Sequence, residues 1–492
     1  MIEKNGQLPF FKPKINFLDF SLIEYAEILK GVFKLSERSS FYKTQFSIQS
    51  KIPRRIPVIN MNLELTHLQK IAALLLIFIC LFAELQSEEV EKETYTDLTK
   101  ALQNPSKVLS LSLSSRELTN FPEEIGKLEN LRTLDLSYNQ LTTLPEEIGQ
   151  LENLQVLRLD SNKLKILPKE IGKLQNLQSL YLSYNQLTTL PKEIGQLKNL
   201  QVLLLDSNKL KILPKEIGKL KNLQKLYLWG NEQLTTLPRE IGQLRNLREL
   251  DLSQNRLTVI PKEIGQLNNL KILILNDNQL TTLPREIGQL RNLRELDLSQ
   301  NRLTVIPKEI GKLKNLQKLY LGGNEQLATL PKEIGQLRNL RELDLSQNRL
   351  TVLPKEIGQL NNLTILILND NQLAALPKEI GQLQNLQELD LSRNNLTTLP
   401  KQIGQLQNLQ KLDLGGNEQL TALPKEIGQL QNLRELDLIG NEQFTTLPEG
   451  IEKLQNLREL SLEYYSFSPQ EKTRIIQLLP NCRIYFEASC GE

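Results

Sequence analysis

Sixteen times, starting at Val108 and ending with the copy that opens at Leu457, one spacing returns: an aliphatic residue, leucines three and five positions later and, in fourteen of the copies, asparagine at the ninth, with leucine at the eleventh in most. The clearest early copy is Leu131, Leu134, Leu136, Asn139 and Leu141, and the period is 23 residues. A unit this short cannot bury its own apolar side, so it folds only by stacking on identical neighbours. At 492 residues the chain also exceeds what one closed core accommodates, and its aromatic content of 5% is too low to fill several such cores. The interior is therefore expected to be a column of leucines.

Within each copy the alternation at the end of Leu-x-x-Leu-x-Leu turns Leu134 and Leu136 inward and Asp135 outward, as a short strand requires. The ninth-position asparagine turns the chain off the strand. Its amide can serve backbone groups of the turn and of the adjacent coil, which is what makes a buried polar side chain tolerable. This ladder runs through Asn139, Asn162, Asn185, Asn208, Asn231, Asn255, Asn278, Asn301, Asn324, Asn348, Asn371, Asn394, Asn417 and Asn441, and is interrupted by Arg116 in the first copy and Tyr465 in the last. On the outer side Leu144-Pro145 fixes an extended turn, and Glu-Ile-Gly-Gln-Leu predicts a short helical or 3-10 turn with Ile148 and Leu151 inward. A one-residue insertion, Asn-Glu-Gln-Leu, follows at Asn231, Asn324 and Asn417, 93 residues apart, so blocks of four copies have been duplicated.

The spacing resembles the leucine-rich repeat family, and Leu-Pro-Lys-Glu-Ile-Gly-Gln-Leu-x-Asn resembles the subtype of Ras-group and leptospiral-type secreted leucine-rich repeat proteins. The resemblance implies an α/β repeat solenoid, a horseshoe with a parallel β-sheet on the concave face and extended or short helical turns on the convex face. The copies cover residues 108–467. Residues 88–107 read as an N-terminal cap, with a helix from Asp97 to Gln103 stopped by Asn104-Pro105, and residues 468–492 as a C-terminal cap. There Ser468-Pro469-Gln470-Glu471 reads as a capping box opening a helix that Pro480 stops, and Arg483 to Phe486 as an edge strand.

Upstream the pattern changes. Residues 1–60 carry seven phenylalanines, no repeat and a basic balance of 10 Lys+Arg against 5 Asp+Glu. Residues 61–87 run Met61, a polar stretch with Lys70, an apolar run at 71–83 and a polar exit. Thirteen apolar residues are too few to cross a hydrocarbon layer of ~30 Å as a helix, but they suit a signal-peptide core. On this reading Met61 is the start and residues 1–60 are a disordered over-extension; the rival reading retains 71–83 as a buried helix or weak anchor.

Charge and chemistry exclude much. Residues 61–492 hold 50 basic and 52 acidic side chains, so the net charge gives the solenoid no reason to seek nucleic acid. The one histidine, His67, precedes every copy, and no Gly-rich phosphate loop or metal-ligand cluster is present. No catalysis, cofactor, metal or small-molecule substrate is expected. Cys482 and Cys490 either pair in an oxidising compartment or stay as free thiols.

Function then falls to the concave strand face, whose sixteen strands at about 4.8 Å give an arc of roughly 70 Å, suited to a protein partner. Variable positions there carry apolar Val156, Val202, Leu204, Ile272, Ile274, Ile365 and Ile367 and aromatic Tyr181, Tyr227, Trp229 and Tyr320. Beside them run acidic pairs such as Glu249 with Asp251 and Glu295 with Asp297, expected to be neutralised by Arg248, Arg294, Arg341 and Arg434. The expectation is an exported, non-catalytic binding module of the periplasm, cell surface or medium, engaging a host or envelope protein, with peripheral envelope association. The alternative is a cytoplasmic scaffold regulating a small GTPase or kinase.

Overall fold

The computed structural model describes residues 94–462 and 467–486. Contacts divide the chain into two units, Met1–Glu91 and Lys92–Glu492. The described residues lie in the second unit, and the signal-like segment, Tyr465 and Cys490 lie outside them. None of the described helices is long and apolar enough to cross a membrane.

The second unit is a solenoid. Eighteen strands form one parallel sheet in chain order. Strand β1 (Thr94–Tyr95) belongs to the N-terminal cap. Strands β2 (Ser110–Ser112) to β17 (Glu459–Ser461) supply one three-residue strand per copy of the motif, and β18 (Arg483–Tyr485) closes the sheet. The register never slips: Leu134 of β3 (Thr133–Asp135) stands between Leu111 and Leu157, the middle leucines of its neighbours. Each middle leucine of β2 to β17 is buried and its two flanking residues are partly or fully exposed, the alternation a half-buried strand demands.

A return path of 3-10 turns stacks opposite the sheet. The turn Glu146–Gln150 follows Pro145, whose φ of −67° and ψ of 153° keep the chain extended up to the turn's first residue. Ile148 and Leu151 are both fully buried. The glycine of each Ile-Gly step is imposed by the stacking: a Cβ on Gly195 would lie 2.6 Å from the carbonyl oxygen of Glu216 in the next coil. Truncating one of the fully buried leucines would cost about 3 kcal/mol, because the rigid neighbours above and below cannot close the cavity.

The asparagines join coil to coil. Asn162 donates through Nδ2 to the carbonyl of Leu159 in its own coil (3.1 Å) and of Leu136 in the coil before (2.9 Å), and its Oδ1 accepts the N–H of Leu141 (3.0 Å). A second ladder lies on the side where the chain returns to the strand. The exposed asparagine of Leu-x-Asn-Leu donates to a backbone carbonyl one coil earlier, as Asn199 does to Gln175 (2.8 Å) and Asn222 to Lys198 (2.9 Å). The residue just before each ninth-position asparagine has positive φ, for example 56° at Tyr138 and 54° at Asp277. In the lengthened coils that place is taken by Gly230, Gly323, Gly416 and Gly440. The fourth of these marks an insertion at Asn441 additional to the three evident at 93-residue spacing, with Phe444 in place of leucine.

Both ends are covered. At the N-terminal end α1 (Leu98–Gln103) begins after Asp97, which is the cap rather than the first helical residue: its carboxylate accepts the N–H of Lys100. At the C-terminal end α2 (Pro469–Leu478) is capped by Ser468, whose Oγ accepts the N–H of Glu471 (3.1 Å). The reciprocal half of the capping box does not form, because the Glu471 carboxylate is engaged by Arg474 and by the N–H of Leu447.

Candidate protein-binding face

The residues that line the concave face are those at the third and fifth motif positions, which the strand turns away from the core. All eleven apolar and aromatic candidates are half-buried, but the sheet does not gather them into one patch. It brings together Tyr181 on β5 (Ser179–Tyr181), Val202 and Leu204 on β6 (Val202–Leu204) and Tyr227 on β7 (Lys225–Tyr227), where Tyr181 pairs with Leu204 and Leu204 with Tyr227. Val156, on β4 (Val156–Arg158), pairs with Ser179 and stands apart from Val202 by that strand. Ile272 and Ile274 of β9 (Ile272–Ile274) pair on both sides with acidic strands, Glu249 and Asp251 before and Glu295 and Asp297 after. Ile365 and Ile367 are likewise set between Glu342 with Asp344 and Glu388 with Asp390. Tyr320 lies between Asp297 and Asp344.

Trp229 lies past the end of β7, at the seventh motif position, where the chain is already turning off the sheet. Its backbone N–H donates to Oδ1 of Asp206 (3.0 Å), and Ser183 Oγ donates to Oδ2 of the same carboxylate (3.0 Å). Burial raises the pKa of Asp206 in spite of these two bonds. The indole ring meets Tyr184 edge to face, centroids 6.3 Å apart and planes at 64°. Tyr184 was not among the sequence candidates. It occupies the positive-φ place before a ladder asparagine and is 56% exposed, and an aromatic side chain at that place was the available signal. At the upstream margin the Arg158 guanidinium sits 4.4 Å from the centre of the Tyr181 ring.

The acidic groups are held differently from the sequence expectation. Arg248, Arg294, Arg341 and Arg434 are exposed and form no ion pair among the described residues. They precede the strand, one place out of phase with the residues that face the concavity, so they project to the flank. Neutralisation comes from lysines at the third position of an adjacent strand: Lys225 to Glu249 (3.0 Å), Lys318 to Glu342 (3.2 Å) and Lys411 to Glu388 (3.2 Å). The Tyr320 hydroxyl donates to Glu342 (2.6 Å), and Tyr227 bonds Glu249 in the same way. Burial pushes the Glu249 carboxyl up, but the bonds from Tyr227 and Lys225 outweigh it and hold its pKa below the ordinary value. Burial and the same hydrogen bond raise the pKa of Tyr227. Several fifth-position aspartates also serve the scaffold. Asp251 accepts the N–H (2.9 Å) and the hydroxyl of Ser253 in the strand-exit turn, and Asp390 treats Ser392 likewise.

Among the described residues no group of three or more His, Cys, Asp or Glu is placed to hold a metal ion. Cys482 is half-buried, and burial pushes its thiol pKa up to about 11, with Glu459 adding to the effect. Its pairing with Cys490 falls outside the described residues.

Known proteins share this architecture. A family described as leucine-rich repeat region matches residues 84–180, 154–257 and 365–483, and one described as leucine rich repeat matches 245–303, 268–325, 291–350 and 314–373. No curated protein matches the chain. Among solved structures, a leucine-rich repeat protein of Leptospira interrogans is 48% identical, over 80% of this chain and 100% of that one, with a TM-score of 0.65. The plant peptide hormone receptor RGFR1, in complex with RGF2, is 29% identical over 77% of this chain and 78% of its own, with a TM-score of 0.54. The functional domain of InlJ from Listeria monocytogenes is 25% identical over 73% and 74%, with a TM-score of 0.60. Sequence match, strand register and buried asparagine ladder agree, and the chain belongs to the leucine-rich repeat family.

Proposed function

We propose that the chain is an exported, non-catalytic binding module that takes a protein partner on its concave face, centred on β5 to β7. The observation that carries this is the cluster of Tyr181, Leu204, Tyr227 and Trp229, bordered by Arg158 and Tyr184: aromatic and aliphatic groups held half-open on a rigid sheet and rimmed by charge. Large aromatic side chains with arginine beside them are the usual anchors of protein interfaces, and a sheet that cannot rearrange loses little entropy on docking. The solved complex of RGFR1 with RGF2 adds that a related solenoid engages a peptide hormone. Export is supported by the order of Met61, the apolar run at 71–83 and the polar exit, and the leptospiral-type resemblance suits a host or envelope protein as the partner.

Two measurements test the reading. The first is affinity capture with the wild-type chain and with Trp229→Ala and Ile274→Ala. Recovery of the same partner is expected to fall with Trp229→Ala, which lies in the cluster, and to change little with Ile274→Ala, which lies between acidic strands. Equal recovery by all three would remove the β5 to β7 face from consideration. The second is mass spectrometry of the mature N-terminus, where a start upstream of Met61 with 71–83 retained would defeat export.

A further inference from the structure

The charge of the solenoid is close to balanced overall, but it is not mixed. Where each coil returns from its 3-10 turn to the next strand, twelve consecutive segments, 172–178 through 428–434, contain no Asp or Glu, and the seven at 195–201 through 335–341 hold the cations of a stripe. One column along this flank is Lys198, Lys221, Arg245, Arg291, Lys314 and Arg338, interrupted once by Asn268, and a second, nearer the strands, is Arg248, Lys271, Arg294 and Arg341, interrupted once by Gln317. All ten are exposed, and none forms an ion pair among the described residues. Lys221 and Lys314 instead donate to backbone carbonyls, of Gly218 (2.7 Å) and Gln336 (3.2 Å). The stripe is not simply a by-product of block duplication. Ninety-three residues beyond Arg291, Lys314 and Arg338 the third block carries Gln384, Gln407 and Gln431.

Between the cations runs the second asparagine ladder. Asn222, Asn246, Asn269, Asn292 and Asn315 each spend Nδ2 on a carbonyl of the coil before, at 2.7 to 2.9 Å, and their Oδ1 atoms accept nothing among the described residues. The stripe thus offers ammonium and guanidinium donors alongside a row of fixed amide acceptors. Three shallow depressions lie on it, one of about 970 Å³ lined by Arg291, Asn292, Lys312, Lys314 and Asn315, one of about 600 Å³ lined by Lys221, Arg245 and Asn246, and one of about 550 Å³ lined by Asn246, Arg248, Asn269 and Lys271.

We infer that this flank is a second binding surface, separate from the concave face, and that it takes an acidic segment of polypeptide lying in extended form along the solenoid. A polyphosphate, a sulfated polymer or an anionic membrane satisfies the cations but brings few donors to the exposed Oδ1 row. An acidic peptide supplies carboxylates to the Lys and Arg columns and backbone N–H groups to the asparagines. Six steps between seven coils at about 4.8 Å span roughly 29 Å, which an extended chain covers with about nine residues.

The test is fluorescence anisotropy with the full chain and a labelled ten-residue peptide of alternating Glu and Gly. Binding is expected at about 50 mM salt and should weaken steeply by about 300 mM. Arg245→Glu, Arg291→Glu and Arg338→Glu together should lower affinity at least about tenfold, while Trp229→Ala leaves it unchanged, so that loss of this surface and loss of the concave one are told apart. Because all three arginines are exposed, the triple variant should melt with the wild type. A peptide of the same charge with its glycine nitrogens methylated tests the acceptor row without altering the protein, and should bind several-fold more weakly. Absence of binding by the Glu-Gly peptide, equal binding by the triple variant, equal binding of the methylated peptide, or tighter binding of inorganic polyphosphate or phosphatidylglycerol vesicles would each overturn the inference.

Discussion

The N–H of Leu234 does not reach Asn255. In the preceding coils the equivalent N–H meets the ladder asparagine one coil on, as Leu210 meets Asn231 at 3.1 Å and Leu187 meets Asn208 at 2.9 Å. The extra residue after Asn231 closes a tight turn in which Leu234 donates to the carbonyl of Asn231 (2.8 Å), and the buried Oδ1 of Asn255 is left without a donor. Leu327, Asn324 and Asn348 repeat this arrangement one block later. At the third insertion Asn441 escapes it by accepting the N–H of Asn417 (2.7 Å).

Two substitutions that look equivalent in sequence should therefore differ in cost. Asn162→Ala removes one of two amide donors from the carbonyls of Leu136 and Leu159, which Asn139 and Asn185 still serve, and also leaves the buried N–H of Leu141 unpaired, whereas Asn255→Ala removes only donors that Asn231 and Asn278 share. An unpaired buried N–H costs about 1–3 kcal/mol, so Asn162→Ala is expected to destabilise by about 3 kcal/mol and Asn255→Ala by about 2. Urea unfolding of the two variants reads the difference. An equal loss, or a larger one at Asn255, would show that the insertion turn has no such effect.

The interior was legible in the sequence because each of its positions has one admissible kind of residue. Leu134 and Leu136 must fill the same slot in every coil, Ile148 and Leu151 the slot opposite, and Asn162 must serve two coils at once; a strict period exposes all of them. The surface was legible only by strand phase. That Glu249 is answered by Lys225 and Tyr227, and not by its sequence neighbour Arg248, depends on side chains 22 to 24 residues apart meeting across parallel strands. The contact of Tyr184 with Trp229 spans 45 residues and two coils, and it follows from the positive φ that lifts Tyr184 out of the strand line. The stranded acceptor of Asn255 follows from an insertion one coil away.

Asp413 should weaken the fold at neutral pH. It stands on β15 (Lys411–Asp413) directly between Asp390 and Asp437, and its carboxyl is pushed up to about 6, chiefly by burial and further by those two neighbours, against the bond it accepts from the N–H of Gly415. A carboxyl whose pKa is higher folded than unfolded gives its full stabilisation only below about pH 4, and loses it as the pH rises through about 6. Asp413→Asn keeps an oxygen for Gly415 and removes the charge. It is expected to raise stability at pH 7 by about 1–2 kcal/mol, after allowance for solvent at this partly open site, with no gain at pH 4. Thermal melts at the two pH values check this, and a gain independent of pH would point to packing instead of ionisation.

The C-terminal cap depends on a clamp whose pH response runs the other way. Glu471 and Arg474, one turn apart on α2, hold each other through Nε to Oε2 (2.8 Å) and Nη2 to Oε1 (2.7 Å), and together they grip the backbone of Leu447. The carboxylate accepts its N–H at 3.2 Å, and the guanidinium donates to its carbonyl at 2.7 Å. The Arg474 guanidinium, helped by that N–H, holds the Glu471 carboxyl below its ordinary pKa of 4.5. Its contribution is therefore complete above that value and is lost as the pH falls through the lowered one. Because each coil of a solenoid contacts only its neighbours, losing the clamp should loosen the last coils and leave the remainder intact. Glu471→Gln is expected to cost about 1–2 kcal/mol at pH 7, to speed hydrogen exchange at the Leu447 amide and along α2, and to leave amides near Leu157 unchanged. Wild type and variant should converge as acidification protonates Glu471. If Leu447 exchanged at the wild-type rate in the variant, α2 would be held by Ile475 and its other buried contacts, and the clamp would add nothing to the cap.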